Sequence, residues 1–178
     1  MDPVAILVIG GLVFPARLAP VPLDRTAEYM AIATRVAGAG RLDCKAVAPR
    51  NAQGTCLPRY SVRRGKRINA WAYQGSIEFS SGAIGRLTSA QFAMLAGHEI
   101  AHFYLGHTHS SVTNELEADM LGALLTCRAG YRIEAAADLY QYARGGRSYP
   151  TPKVRRQVVM DLAQTADCGG ASSKIVHY

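Results

Sequence analysis

Long apolar runs are absent from this sequence. No stretch of 18 consecutive apolar residues occurs, so no segment has the length of a membrane-spanning helix. Cysteine is scarce, and none of the 4 cysteines forms a CxxC pair, which excludes a zinc ribbon and a thioredoxin-like redox motif. Charged residues make up only 19% of the chain against 49% hydrophobic residues, which excludes a disordered chain. At 178 residues, one folded domain is the expected organisation.

Acidic residues are also few, and the resulting excess of positive charge is concentrated in one segment. The chain carries 13 Asp and Glu against 20 Lys and Arg, a net charge of +7. Residues 41–67 contain eight of these cations and a single acid, Asp43. Such a segment is typical of a solvated face, or it predicts peripheral contact with an anionic membrane or an acidic partner. No specific nucleic-acid binding is predicted, because only Tyr60 interleaves the cations and no recognised binding motif accompanies them.

The 4 cysteines are Cys44, Cys56, Cys127 and Cys168, and they allow two disulfides. We favour Cys44 with Cys56 and Cys127 with Cys168, because the first pair would close a short basic loop. Four buried thiols are the alternative.

The N-terminal segment, residues 1–22, contains eleven apolar residues from Val4 to Phe14. This is the length of a signal-peptide core, although no positive charge precedes it and Arg17 stands where a cleavage site wants a small residue. We interpret the segment as the remnant of a signal or tether, with a buried strand as the alternative, and residues 23–178 as a single domain. The expected location is periplasmic or secreted in a bacterium, with membrane association an option and the cytoplasm as the alternative.

Turn and cap signals divide the remaining chain. They predict a helix over 24–37, irregular structure or short strands over 41–67, and a hairpin over 68–79 with its turn at Gln74-Gly75. A capping box at Thr88 and Gln91 starts a helix that ends at Gly106. Three further helices are predicted over 114–128, 133–144 and 152–166. The apolar residues at helical spacing predict core positions at Phe92, Leu95, Leu121, Leu124, Leu125, Leu139 and Tyr140.

The helix after Thr88 contains the pattern HExxH, at His98, Glu99 and His102. Residues four apart share one helix face, so both imidazoles can bind one metal ion. Glu99 then lies beside the metal, where it is free to take a proton from a water molecule that the metal activates. Two surface histidines are the structural alternative.

A third ligand is predicted at the start of the following helix. A catalytic zinc ion needs three protein ligands and an open position. Glu115 and Asp119 are four apart and face the same way, so Glu115 would bind the metal and Asp119 would hydrogen-bond the far nitrogen of a ligand histidine. Glu117 points elsewhere and would be solvated or support the helix N-terminus.

His107 and His109 compete with Glu115 for the third position. The metzincin pattern HExxHxxGxxH needs Gly at 105 and His at 108, where this chain has Leu105 and Thr108. The spacing of these histidines therefore does not match the metzincin pattern. His107 is instead expected at the helix C-terminus, where a cation is favoured.

Over residues 68–155 these motifs resemble the HtpX-type and CAAX-prenyl-endopeptidase gluzincin metallopeptidases. The matching segments are Asn69-Ala70-Trp71-Ala72, Gly75-Ser76-Ile77, Ser80-Ser81-Gly82, Leu95 to His102, Glu115 to Asp119, Gly122 and Ala129-Gly130-Tyr131. The resemblance implies that His98, His102 and Glu115 bind one zinc ion per chain and that Glu99 is the general base. It also implies that an extended peptide pairs with the strand at Asn69, Ala70 and Trp71.

The chain departs from that family at several points. The gap from His102 to Glu115 is short, which implies a more open cleft, and the absence of spanning helices is similar to the family's small soluble periplasmic branch. Tyr149 stands where the family has a histidine, followed by Arg155. We predict that Tyr149 stabilises the oxyanion and that Arg155 positions the substrate, while an exposed loop tyrosine is the simpler interpretation.

Together these patterns predict an α+β, zincin-like fold in which an active-site helix and a glutamate helix pack beside a small sheet. The predicted function is zinc-dependent endopeptidase cleavage of unfolded or extended polypeptides, with envelope protein quality control as a role implied by the resemblance. One alternative is a repressor-cleaving protease of the ImmA/IrrE type. Another is an inactive, zinc-stabilised binding or chaperone-like module. The sequence predicts no oligomeric state.

Overall fold

The computed structural model describes residues 23–40, 57–73, 75–147, 149–166 and 168. The N-terminal segment, the Cys44–Cys56 pair and residues 41–56 of the basic segment lie outside the described residues. Within them the fold is α+β, as predicted, with helices around a three-stranded sheet. None of the helices in these ranges is both long and apolar enough to cross a membrane.

The helices and strands follow one another in a simple order. They are α1 (Leu23–Ala39), β1 (Arg59–Arg63), β2 (Ala70–Tyr73), β3 (Ser76–Ser80), α2 (Ser81–Arg86), α3 (Ser89–Leu105), α4 (Val112–Arg128), α5 (Ile133–Ala137), a 3-10 helix (Asp138–Tyr142) and α6 (Pro152–Thr165).

Local capping signals explain most helix starts. Thr88 and Gln91 form the predicted capping box of α3, and Gly106 ends that helix in the left-handed conformation at φ 69°. Helix α4 begins at Val112, earlier than predicted, because the Ser111 side chain accepts a hydrogen bond from the Asn114 amide. The single helix predicted over 133–144 is wrong, since α5 ends at Ala137 and a 3-10 helix follows. Helix α2 was not predicted.

The sheet has the strand order β1-β3-β2, so β2 is an edge strand. Strands β2 and β3 form the predicted antiparallel hairpin, with Gly75 in the turn at φ 77°. Strand β1 pairs with β3 in parallel, from Arg59 opposite Ser76 to Arg63 opposite Ser80. Ser80 then ends the sheet and caps α2, because its hydroxyl accepts from the Ala83 amide.

The core lies between α1, α3 and the inner face of the sheet. Phe79 and Phe92 are fully buried with ring centroids 4.7 Å apart, and Tyr29 packs on Phe92 at 4.6 Å. Five of the seven predicted core residues are buried: Phe92, Leu95, Leu125, Leu139 and Tyr140. Leu121 is partly buried and packs against this core, whereas Leu124 is only partly buried on α4.

The favoured Cys127–Cys168 disulfide is present, with the two Cα atoms 5.2 Å apart. It joins the end of α4 to the segment that follows α6, and therefore ties the chain beyond α6 to the core.

Helices α3 and α4 cross at two glycines. A Cβ atom on Gly97 would lie 2.6 Å from the Gly122 carbonyl oxygen, and one on Gly122 would lie 2.7 Å from the His98 nitrogen. Thr126 supports the crossing, because its hydroxyl reaches the carbonyl oxygens of Ala93 on α3 and Gly122 on α4. This close approach sets the HExxH face of α3 against the first turns of α4.

Candidate metal centre and catalytic cleft

Three side chains converge where α3 and α4 meet. The Nε2 atoms of His98 and His102 are 3.0 Å apart. The Glu115 carboxylate lies 3.4 Å from His98 Nε2 and 3.7 Å from His102 Nε2. One ligand atom from each residue falls within 4.8 Å of the others, so the group could hold a metal ion.

The chemistry of this donor set fits a bound divalent cation. Two imidazole nitrogens and one carboxylate oxygen are the three-ligand set typical of a catalytic zinc site, which keeps one position open. The Glu115 side chain is 3% exposed, and the two ring nitrogens face each other with room for only one proton between them. Burying the Glu115 carboxylate costs free energy unless an opposite charge or a hydrogen bond offsets the loss of water. A cation bound between Glu115 and the two histidines would offset that cost.

A carboxylate and a guanidinium hold His98 from behind. Its Nδ1 atom lies 2.9 Å from Asp119, which is fully buried, so Asp119 occupies the place that the spacing predicts for it. Arg155 from α6 then donates to both Asp119 oxygens at 2.7 Å, a bidentate pair. Tyr140 stacks on this guanidinium, with 5.1 Å from the Arg155 Cζ atom to the ring centroid.

The pKa values of these groups follow from burial and neighbouring charge. Burial alone would lower the pKa of His98, but hydrogen bonds to Asp119 and Glu115 raise it to about 9. Burial and then the charge of His98 lower the pKa of His102 to about 3. Burial opposes ionisation of Asp119, yet the hydrogen bonds from Arg155 and His98 bring its pKa down to about 2. Burial also opposes ionisation of Glu115, but a hydrogen bond with His98 and neighbouring positive charge lower the pKa of Glu115, so its carboxylate is ionised where it meets the two histidines, which favours a cation at that point.

A second hydrogen-bonded chain holds His102. Its Nδ1 atom lies 2.9 Å from Nδ1 of His107, and His107 Nε2 lies 3.1 Å from the Glu117 carboxylate. Glu117 is exposed to solvent, as predicted, and its carboxylate also contacts His107, because the chain after α3 brings His107 against the exposed side of α4. Sequence spacing gave no signal for this contact, which depends on the turn at Gly106.

Glu117→Gln is expected to lower zinc affinity by about 10-fold, because partners of a ligand histidine fix its orientation and basicity. The amide keeps the size of the side chain but loses the charge that holds His107. Competition with a chelator of known affinity measures the effect. Glu134→Gln is the matched control, since Glu134 is half-exposed and its one ion pair in the described ranges is with Arg132. Equal zinc affinity in Glu117→Gln and Glu134→Gln would contradict the prediction.

Glu99 lies beside the three converging side chains. Its side chain is largely buried, and burial raises the pKa of its carboxyl above the ordinary value. The backbone of Ala72 in β2 forms a hydrogen bond with it. A glutamate with a raised pKa is suited to accept and return a proton near neutral pH.

An open cleft of about 800 Å³ contains the centre. The predicted substrate-binding residues Asn69, Ala70, Trp71 and Arg155 all line it, as does Tyr149. Tyr149 is exposed, and its hydroxyl lies 3.0 Å from Ser110 Oγ. Arg155 lies deeper, because its guanidinium is bound to Asp119. Nine of the ten predicted site residues thus line one cleft, and Asp119 lies behind His98. The catalytic and binding roles of these residues stay predictions.

Comparison with known families agrees with this geometry. Residues 43–114 match the model of peptidase family M48. The match includes His98, Glu99 and His102 and ends directly before Glu115, so the third donor is supported by its spacing and by the geometry and not by the family match. No curated protein matches the chain. The match supports the M48 family of metal-dependent peptidases, and with it a hydrolase that cleaves polypeptides.

Proposed function

We propose that the protein is a zinc-dependent endopeptidase of the small, HtpX-like kind, with a zincin-like fold, that cleaves unfolded or extended polypeptides. The observation that carries the proposal is the convergence of His98, His102 and Glu115 beside Glu99 in an open cleft. The family match agrees with it. One zinc ion per chain is the cofactor that this donor set suits.

The chain's own residues supply the proton transfers. A zinc ion held by His98, His102 and Glu115 would polarise the scissile carbonyl and activate water. Glu99 takes a proton from the attacking water and returns it to the amide nitrogen of the leaving peptide. Asp119 and Arg155 keep His98 oriented throughout, and Glu117 with His107 does the same for His102.

The edge strand β2 explains why the substrate would be extended. The Asn69 carbonyl oxygen accepts a hydrogen bond from the Ser80 amide, so Asn69, Trp71 and Tyr73 direct their backbone groups to β3. Ala70 and Ala72 therefore direct theirs away from the sheet, as the contact between Ala72 and Glu99 shows. A peptide that added to this edge would run past Glu99 and be recognised mainly through its backbone.

Tyr149 and Trp71 complete the proposed binding site. The Tyr149 phenol can donate a hydrogen bond to the oxyanion that develops during attack. Trp71 lies under Arg63 at 4.7 Å from the Arg63 Cζ atom to the ring centroid, so its ring is held in place beside the strand.

A periplasmic or secreted location and a role in envelope quality control complete the proposal. The Cys127–Cys168 disulfide supports an oxidising compartment. Membrane contact through residues 41–67 is also proposed, and the described cations Arg64 and Lys66 are exposed and available for it.

Cleavage of casein by the zinc-loaded chain tests the function. We expect casein fragments to accumulate with time. A chelator should stop the cleavage, and added zinc should restore it. A chain that binds zinc but leaves casein intact would overturn the proposal and favour the inactive binding module. Cleavage of a repressor protein but not of casein would favour the ImmA/IrrE type.

A further inference from the structure

Three arginines line the cleft, and no described carboxylate pairs with them. They are Arg67, before β2, Arg86, at the end of α2, and Arg144, after the 3-10 helix. All are exposed, and none forms an ion pair with a carboxylate in the described part of the chain. Arg86 is fixed in place, since it donates to the Lys66 carbonyl oxygen at 2.6 Å.

The acids of the cleft do not balance these charges. Among the described residues only two acidic side chains line it, Glu99 and Glu115, and both are buried at the metal centre. Arg155, the fourth arginine of the lining, is already neutralised by Asp119. The mouth of the cleft is therefore cationic, and a bound zinc ion would add positive charge at its floor.

We propose that Arg67, Arg86 and Arg144 select acidic polypeptides, whose Asp and Glu side chains flank the segment bound along β2. This inference rests on the proposed function and names its substrate class. A guanidinium binds a carboxylate through two parallel hydrogen bonds, so it gives orientation as well as attraction. Backbone pairing with Ala70 and Ala72 does not distinguish sequences, and the arginines supply that distinction.

A polypeptide fits this cleft better than a nucleic acid does. The free edge of β2 offers backbone amide and carbonyl groups, which an extended peptide can match in a ladder and a phosphodiester chain cannot. The arginines lie in the same cleft as that edge and the metal centre, and do not form a separate basic surface along which a phosphate backbone could bind.

Peptide binding to full-length, zinc-loaded Glu99→Gln tests the inference without requiring cleavage. The probes are a labelled peptide rich in Ser, Ala and Gln and its twin with Glu in place of Gln, compared by fluorescence anisotropy. We expect the acidic twin to bind about 10-fold more tightly at 0.1 M salt and less than about 2-fold at 1 M, because the Debye length falls from roughly 10 to 3 Å.

Added substitutions separate the arginines from the metal as the source of the preference. Arg67→Gln with Arg144→Gln should reduce the preference to about 2-fold at 0.1 M salt. Arg35→Gln is the matched control and should leave it unchanged, because Arg35 is an exposed arginine of α1 that lies outside the cleft lining and forms no ion pair with the residues that the structure describes.

The outcomes distinguish this inference from the proposed function. Equal binding of the two peptides, or a preference that persists in the Arg67 and Arg144 double variant, would overturn the inference even if wild type cleaves casein. Tighter binding of an oligothymidylate with the same number of charges would overturn it in favour of a nucleic-acid site. A preference for the acidic twin without cleavage by wild type would support the inference and refute the peptidase.

Discussion

Glu99→Gln is expected to reduce the rate of polypeptide hydrolysis by about 1,000-fold while the chain still binds zinc. General acid–base groups contribute typically 10²–10⁴-fold, and in the proposed mechanism Glu99 serves both the attacking water and the leaving nitrogen. Glutamine keeps the shape of the side chain and can still hydrogen-bond to Ala72, so the change removes only the ability to accept a proton.

Three measurements make this result specific to proton transfer. The turnover of a fluorogenic peptide gives the rate, metal analysis gives the zinc content, and thermal unfolding checks the fold. We expect full zinc content and an unchanged unfolding temperature, with Glu134→Gln as active as wild type. Residual activity within 10-fold of wild type, at full zinc occupancy, would show that another group accepts the proton.

The centre could be predicted from the sequence because local spacing dictates most of it. The capping box at Thr88 and Gln91 fixes the start of α3, and the helix period then places His98 and His102 on one face. The same period places Glu115 and Asp119 together on α4, and the structure brings both to His98.

Other features depend on contacts that no local pattern contains. Strand β1 alternates Tyr60 and Val62 with polar residues, but it is short, rich in arginine and mostly exposed, so its pairing with β3 is what defines it as a strand. The 3-10 turn after α5 continues a helical sequence, and packing against α3 and α6 decides its form. Glu117 meets His107 only because the chain reverses at Gly106, and Arg155 meets Asp119 only because α6 packs on α4.

The close crossing of α3 and α4 brings His98 and His102 next to Glu115. Gly122→Ala is expected to disrupt this crossing. The added Cβ would lie 2.7 Å from the His98 nitrogen, 2.8 Å from the Gly97 carbonyl carbon and 2.9 Å from the His98 Cα. These are backbone atoms, so no side chain can rotate away and the two helices must separate. We expect a loss of about 3 kcal/mol in the free energy of unfolding of the metal-free chain.

The same displacement should weaken metal binding, because Glu115 on α4 moves away from His98 and His102 on α3. Zinc bonds at about 2.0–2.2 Å tolerate little separation, so we expect at least about 10-fold lower zinc affinity. Gly85→Ala is the matched control, since Gly85 also lies in a helix and an added Cβ there would meet nothing within 4 Å. It should leave zinc affinity unchanged and raise stability by about 0.5–1 kcal/mol.

Thermal unfolding of the metal-free and zinc-loaded chains separates the two effects. A loss of about 3 kcal/mol corresponds to an unfolding temperature lower by about 6–12 °C in a chain of this size. Zinc should stabilise Gly122→Ala less than wild type, because stabilisation by a ligand follows its affinity for the folded state. If the two proteins gained equally from zinc, the distance between α3 and α4 would not control the metal centre, and the three donors would have to be held in place by the hydrogen bonds of Asp119 and His107 alone.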